Sequence, residues 1–174
     1  MRKQYLGPYL ALSFGILAAC SSLGGQTAPA TPAQRSLATD SVAVHAAAHG
    51  FLAAFDSLQF EPFRNYFADD ITMFFPFPQF PARINGKQEV GDVFGQFMSA
   101  QREGRAKAGQ PAVMGITPRD LLVQMVTHDV AVVSFHLGSA ETPARRSVIF
   151  RNSPAGWKVI HWHASSPPPQ PASR

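Results

Sequence analysis

Two periods of hydrophobicity divide the chain. Val44, Ala48, Phe51, Phe55 and Leu58 recur at the spacing of one helical face, which predicts an amphipathic helix with Asp40 or Ser41 as its cap. Glu61-Pro62 suits the first turn of a short second helix, with Phe63, Tyr66 and Phe67 turned to the core. Asp69 and Asp70 are then expected at a helix-to-strand turn, followed by a strand from Ile71 to Phe75. Pro78 and Pro81 keep the aromatic stretch from Phe77 to Pro81 out of a central strand. A short strand over Ala82 to Asn85 leads through Gly86 into a third helix from Lys87 to about Arg102. Its inward residues are Val90, Val93, Phe94, Phe97 and Met98, and Gly91 and Gly95 mark close packing of this helix on the sheet. Gln101 to Pro111, polar and basic, reads as a loop.

The last third changes to strand alternation. Four strands are expected, over about Asp120 to Thr127, Val130 to Leu137, Arg145 to Arg151 and Trp157 to Ser165, with turns at His128-Asp129 and Asn152 to Gly156. Helices interleaved with two short strands, followed by an antiparallel run, define an α+β class.

Composition adds an export signal. Arg2 and Lys3 precede an apolar run from Tyr9 to Leu17 and then small residues, the form of a signal peptide, and the run is too short to span a bilayer. Leu17-Ala18-Ala19-Cys20 resembles the lipobox of bacterial lipoproteins, which implies that residues 1–19 are removed and Cys20 is lipidated. Cys20 is the only cysteine, so an intramolecular disulfide is excluded. Ser21 after the cysteine favours the outer membrane by the same resemblance, with the domain facing the periplasm. The linker is set at residues 20–40, the domain at 41–165 and a proline-rich tail, expected to be disordered, at 166–174. Removing Arg2 and Lys3 from the fifteen basic residues leaves thirteen against eleven acidic, a net +2 too weak for a nucleic-acid surface. At 174 residues, 45% of them hydrophobic, the chain carries one globular domain.

Phe51 to Pro76 resembles the opening of the ketosteroid isomerase branch of the nuclear transport factor 2-like (SnoaL-like) superfamily. The shared pattern is an aromatic residue, Ala53-Ala54, then Phe67-Ala68-Asp69-Asp70 and a strand ending at Pro76. The resemblance implies a curved, mixed, mainly antiparallel sheet wrapped around a long N-terminal helix, a cone-shaped α+β barrel. It puts Phe51 where the isomerases carry an oxyanion donor and Phe75 where they carry the proton-moving aspartate. Neither phenylalanine donates, accepts or titrates, so the isomerase machinery is missing.

The last strand, with Trp157 and then His161-Trp162-His163, is similar to that of the calcium/calmodulin-dependent kinase association domain. Alternation puts Ile160, Trp162 and Ala164 on one face and Val159, His161 and His163 on the other, and the resemblance turns the first set to the cavity. Where that domain carries a pair of cavity arginines this chain has Ala164 and His136. The cavity is expected to be lined by Phe51, Phe55, Tyr66, Met73, Phe75, His136, Ser147 and Trp162, with Arg151 as a further polar candidate. No metal or cofactor is expected: the pairs His45/His49 and His161/His163 each lack an identifiable third ligand. The expected job is binding a small apolar ligand, or pairing with a second copy through the His161/His163 face. The alternative is a lyase, isomerase or cyclase with His136 as base, whose ordinary pKa lies near neutrality.

Overall fold

The structure is a computed structural model and describes residues 36–166 apart from Pro78 and Pro81. The expected export signal, Cys20, the proline-rich tail after Ser166 and most of the linker lie outside the described residues.

The first helix, α1 (Leu37–Asp56), begins inside the expected linker because Ser36, not Asp40 or Ser41, caps it: the Thr39 N–H donates to Ser36 Oγ at 3.1 Å. Asp40 instead lies buried in the first turn and accepts from the His128 ring Nδ1 at 3.0 Å. Val44, Ala48, Phe51 and Phe55 form the buried stripe. The helix ends in a Schellman pair, Leu58 N–H to Phe55 O and Gln59 N–H to Ala54 O, with Leu58 at φ +54°. Leu58 is fully buried, and burying its side chain (about 1.5–3 kcal/mol) outweighs the roughly 1–2 kcal/mol cost of the left-handed conformation.

α2 (Phe60–Arg64) leads into β1 (Phe67–Phe74), β2 (Ile84–Asn85) and α3 (Lys87–Lys107). The four remaining strands are β3 (Arg119–Met125), β4 (Val130–Leu137), β5 (Ala144–Ser153) and β6 (Gly156–Ser165). They form one six-stranded sheet ordered β2-β1-β6-β5-β4-β3. Only the β1–β6 pair is parallel, so the sheet is mixed and mainly antiparallel, as expected, while β2 and β3 remain edges and the sheet does not close into a barrel. The α+β class holds.

Several expectations are corrected. Asp69 and Asp70 lie within β1, not at a turn; both are exposed, and pairing with β6 slips between Phe67 and Thr72, so this irregularity absorbs the break in alternation. The segment 101–107 continues α3 and is not a loop. Gly91 and Gly95 make room for α2, not for the sheet: a Cβ at Gly91 would stand 3.0 Å from Arg64 Nε, and one at Gly95 would stand 3.4 Å from the Phe60 ring. In β6, register against β5 jumps from Ile149↔His161 to Phe150↔Val159, leaving Ile160 as the extra residue. Val159 is therefore fully buried, and Ile160 does not share the inner face with Trp162 and Ala164.

The core lies between the helices and the inner sheet face, and it is aromatic. Phe51 stacks on Phe63 (5.0 Å between ring centroids) and meets Trp162 edge-on (5.1 Å), while Trp162 stacks on Phe94 (5.0 Å). Such pairs add about 0.5–1.5 kcal/mol each beyond their burial.

Candidate functional site

A cavity of about 110 Å³ opens where β1 ends. Pro76 ends the strand's run, and the residues around it supply one wall: Met73 from β1, then Phe75 and Phe77. Phe75 packs against Phe77, Phe80 and Phe94 with ring centroids 5.2–5.3 Å apart, and Phe77 leaves 40% of its surface exposed at the rim. Phe55 of α1 and Phe94 and Phe97 of α3 close the helical side, with Trp162 and Ala164 of β6 and Leu137 of β4 behind them. Met114 completes the wall from the segment between α3 and β3. That segment is pinned to the end of α1: the Met114 N–H donates to Asp56 O and the Ile116 N–H to Asp56 Oδ1, each at 2.7 Å. From α3, Arg105 Nη2 donates to Met114 O at 3.1 Å.

One charged side chain lines this apolar space, Arg146 of β5. Its Nη1 donates to Arg145 O at 2.8 Å and to Ser165 O at 2.9 Å, holding the start of β5 to the end of β6. Among the described residues it forms no ion pair with a carboxylate. Burial lowers its pKa from the ordinary arginine value, although an arginine stays protonated at neutral pH. Trp162 is buried, and its indole Nε1 has no hydrogen-bond partner among the described residues.

Of the residues named from the sequence, Phe55, Met73, Phe75 and Trp162 meet at this cavity. Phe51 lies behind it, 1% exposed in the core. Tyr66 meets the Phe51 ring edge-on and turns its hydroxyl toward Gly50 of α1, lining a separate groove with Trp157 and Lys158. His136 is on the outer face of β4, its Nδ1 3.3 Å from Oδ2 of the exposed Asp120, while its neighbour Leu137 faces the cavity. This corrects the expected cavity histidine: strand alternation turns Ala131, Val133 and Phe135 inward and His136 out. Ser147 and Arg151 also alternate outward, Ser147 opposite Ser134 and His163, and Arg151 paired with Asp70 at 2.8 Å. Asp70 has its pKa lowered, chiefly by its hydrogen bond from Arg151.

His161 and His163 stand on the outer face beneath Phe74, with ring centroids 6.0 and 5.7 Å from it. His161 Nδ1 hydrogen-bonds with Thr72 Oγ1 at 2.8 Å. Burial first, then the neighbouring His163 and Arg83, lower the His161 pKa. His45 and His49 are exposed on α1, and no three metal-ligating side chains come together among the described residues.

Arg146 was not among the residues expected from the sequence, yet a signal for it exists. Val148 and Phe150 are strongly apolar strand residues, and Arg146 shares their face at the i−2 step.

No functionally curated protein shows significant sequence similarity to the chain. Among solved structures, an NTF2-like family protein from Streptomyces avermitilis superposes with a TM-score of 0.60 at 20% identity, covering 76% of this chain and 99% of its own. An NTF2-like protein of unknown function from Pseudomonas putida KT2440 gives 0.58 at 20% identity, over 76% and 89% of the two chains. A domain from Xanthomonas campestris, assigned to the calcium/calmodulin dependent protein kinase II association type, gives 0.51 at 17% identity, over 80% and 94%. At these identities the likeness speaks for the fold alone. The sequence itself matches the SnoaL-like domain over residues 44–169, which is most of the chain, and the protein therefore belongs to the SnoaL-like domain family.

Proposed function

We propose that this SnoaL-like domain is a non-catalytic module that takes a small, largely apolar ligand in the cavity behind Phe75. The observation that carries the reading is the lining: aromatic, methionine and aliphatic side chains with one arginine, Arg146, and no carboxylate or histidine among them. A general base or acid must reach its proton within hydrogen-bonding distance, and the candidate base His136 is on the other side of the sheet. An enclosed apolar cavity of about 150 Å³ accommodates benzene; at about 110 Å³ this one is smaller, but it opens at the exposed rim residue Phe77, so a short chain, or a ring that stays partly at the rim, fits it.

The test uses toluene as an apolar probe. Toluene should raise the thermal midpoint of the protein, because a ligand that binds only the folded state at about 100 times its Kd adds roughly 2.7 kcal/mol. Ala164→Val, which narrows the cavity, should weaken that rise. A midpoint indifferent to toluene up to its solubility would end the binding reading.

Two further parts of the reading concern where the module works. Lipidation of Cys20 would hold it at the envelope, since each buried methylene adds about 0.8 kcal/mol of membrane affinity. The lipobox-like Leu17-Ala18-Ala19-Cys20 supports this, and Cys20→Ser should move the protein from the membrane to the soluble fraction. A variant that stays in washed membranes would count against the anchor. Pairing of two copies through the outer sheet face is the second part, supported by the exposed Phe74 and Leu122 on that face.

A further inference from the structure

Resting on the binding reading above, we infer that the aromatic rim of the cavity is the docking site of this chain's own proline run, residues 167–171, which crosses the mouth as a strap. The parallel pairing of β1 with β6 sets the place. Its register ends with Met73↔Trp162 and Phe74↔His163, so Phe75 comes level with Ala164, and both line the cavity. The two strands run in the same direction about 4.8 Å apart. The chain therefore leaves β6 at the end of the sheet where Pro76 and Phe77 leave β1. Arg146 fixes this exit, since its side chain lines the cavity and its Nη1 donates to Ser165 O at 2.9 Å. Ser166 is exposed, and Pro167 follows it directly, so the proline run is rooted at the cavity wall.

The rim suits such an occupant. Phe77 leaves 40% of its surface exposed, and Phe75, packed between Phe77 and Phe80 at 5.2 and 5.3 Å, is only half-buried. Proline-rich segments dock on aromatic-lined surfaces as preformed polyproline helices, which keeps the ordering cost low. Pro167, Pro168, Pro169 and Pro171 supply that composition, and neither the run nor Phe75, Pro76, Phe77 and Phe80 carries a charge to be desolvated. In that conformation residues 167–171 reach about 15 Å, ample to cross the mouth of a cavity of about 110 Å³. The SnoaL-like match also extends to residue 169, past the end of β6, so the first three prolines fall within the matched domain. A strap there covers the side of the ligand that Phe77 leaves open to water, and it lifts for entry and release.

The experiment is NMR on the whole protein with labelled proline. Side-chain protons of Pro167, Pro168 and Pro169 should show Overhauser contacts to the Phe77 ring and upfield shifts from its ring current, and Phe77→Ala should abolish both. Pro167→Gly, Pro168→Gly and Pro169→Gly together keep the length of the run and should lose the contacts. A chain stopped after Ser166 should take up and release toluene faster than the unmodified protein, because the mouth then stands open. Proline signals at random-coil positions, without contacts to Phe77, would overturn the inference and leave the apolar-ligand reading standing. So would contacts that vanish on dilution, which would give the rim to the run of a second copy, and so would toluene exchange indifferent to the stop after Ser166. Concentration-independent contacts to Phe77 in a protein that binds no toluene would uphold the strap and end the ligand reading. Because the unmodified protein decides the docking, the inference does not depend on a variant that folds.

Discussion

Phe75 stands where the isomerases keep a proton-moving aspartate, and in this chain it is part of a wall: its ring meets Phe77, Phe80 and Phe94, and it faces the cavity. Phe75→Asp would remove those contacts and place a carboxylate among aromatic rings. Losing the ring and desolvating the charge together should cost about 2–4 kcal/mol, or leave the new carboxyl protonated at neutral pH with a raised pKa. Urea denaturation at pH 7 reads the loss, and a variant as stable as the parent would mean that the cavity is already hydrated and polar. The apolar character of Phe51 and Phe75 was plain from residue type. The orientation of Ser147 and Arg146 was not, because it depends on strand parity, and parity depends on where β5 begins; His136 was turned inward by the resemblance to the kinase association domain, against the alternation of β4 itself. Once Ala144 is seen to pair with Leu137, Ser147 falls outward and Arg146 inward. Of the adjacent Arg145 and Arg146, alternation exposes the first and half-buries the second.

At the level of elements, periodicity carried furthest where it was unbroken. Val130 to Leu137 alternates without a slip, and β4 has those bounds. It failed at the irregularity in β6, where one extra residue moves every following side chain to the other face, and in β1, where the pairing slips and Asp69 and Asp70 are both exposed. It failed also at the end of α3, where Gln101 to Lys107 has no apolar stripe. Good helix formers and the tie from Arg105 to Met114 O extend the helix there regardless. The two glycines of α3 give a test of how α2 is seated. A Cβ at Gly95 would meet the Phe60 ring at 3.4–3.7 Å, close to ordinary contact, so Gly95→Ala should gain most of the helix-propensity difference, about 0.5–1 kcal/mol. At Gly91 the Cβ would come 3.0 Å from Arg64 Nε, and that side chain would have to move. Gly91→Ala should therefore gain less. Thermal denaturation of the two variants ranks them, and a destabilised Gly95→Ala would show that α2 packs on α3 more tightly than these distances indicate.

For the molecule as a whole, the open sheet has one face that no helix covers among the described residues. Across it run Phe74, His163, Ser147, Ser134 and Leu122 in one row and Thr72, His161, Ile149, Val132 and Gln124 in the next, by the strand registers. Phe74 and Leu122 expose 40% and 52% of their surfaces, and the rows between them carry histidine, hydroxyl and aliphatic groups with no acidic residue. Such a face suits a second copy of itself, since an isologous contact places like on like and this one brings no carboxylates together. Val159 is no place to probe it, because β6 turns that side chain into the core, where a charge would unfold the domain. Ile149 is the appropriate position: it lies at the centre of the face, half-buried, between His161 and Val132. If two copies pair here, the domain should sediment as a dimer at micromolar concentration, and Ile149→Glu should raise the dimer dissociation constant by about tenfold or more, because two buried carboxylates would face each other across the twofold axis. The thermal midpoint of dilute, monomeric protein should hardly move, since Ile149 is not a core residue. An unmodified domain that sediments as a monomer at that concentration, or a dimer indifferent to Ile149→Glu, would place any self-association elsewhere on the surface.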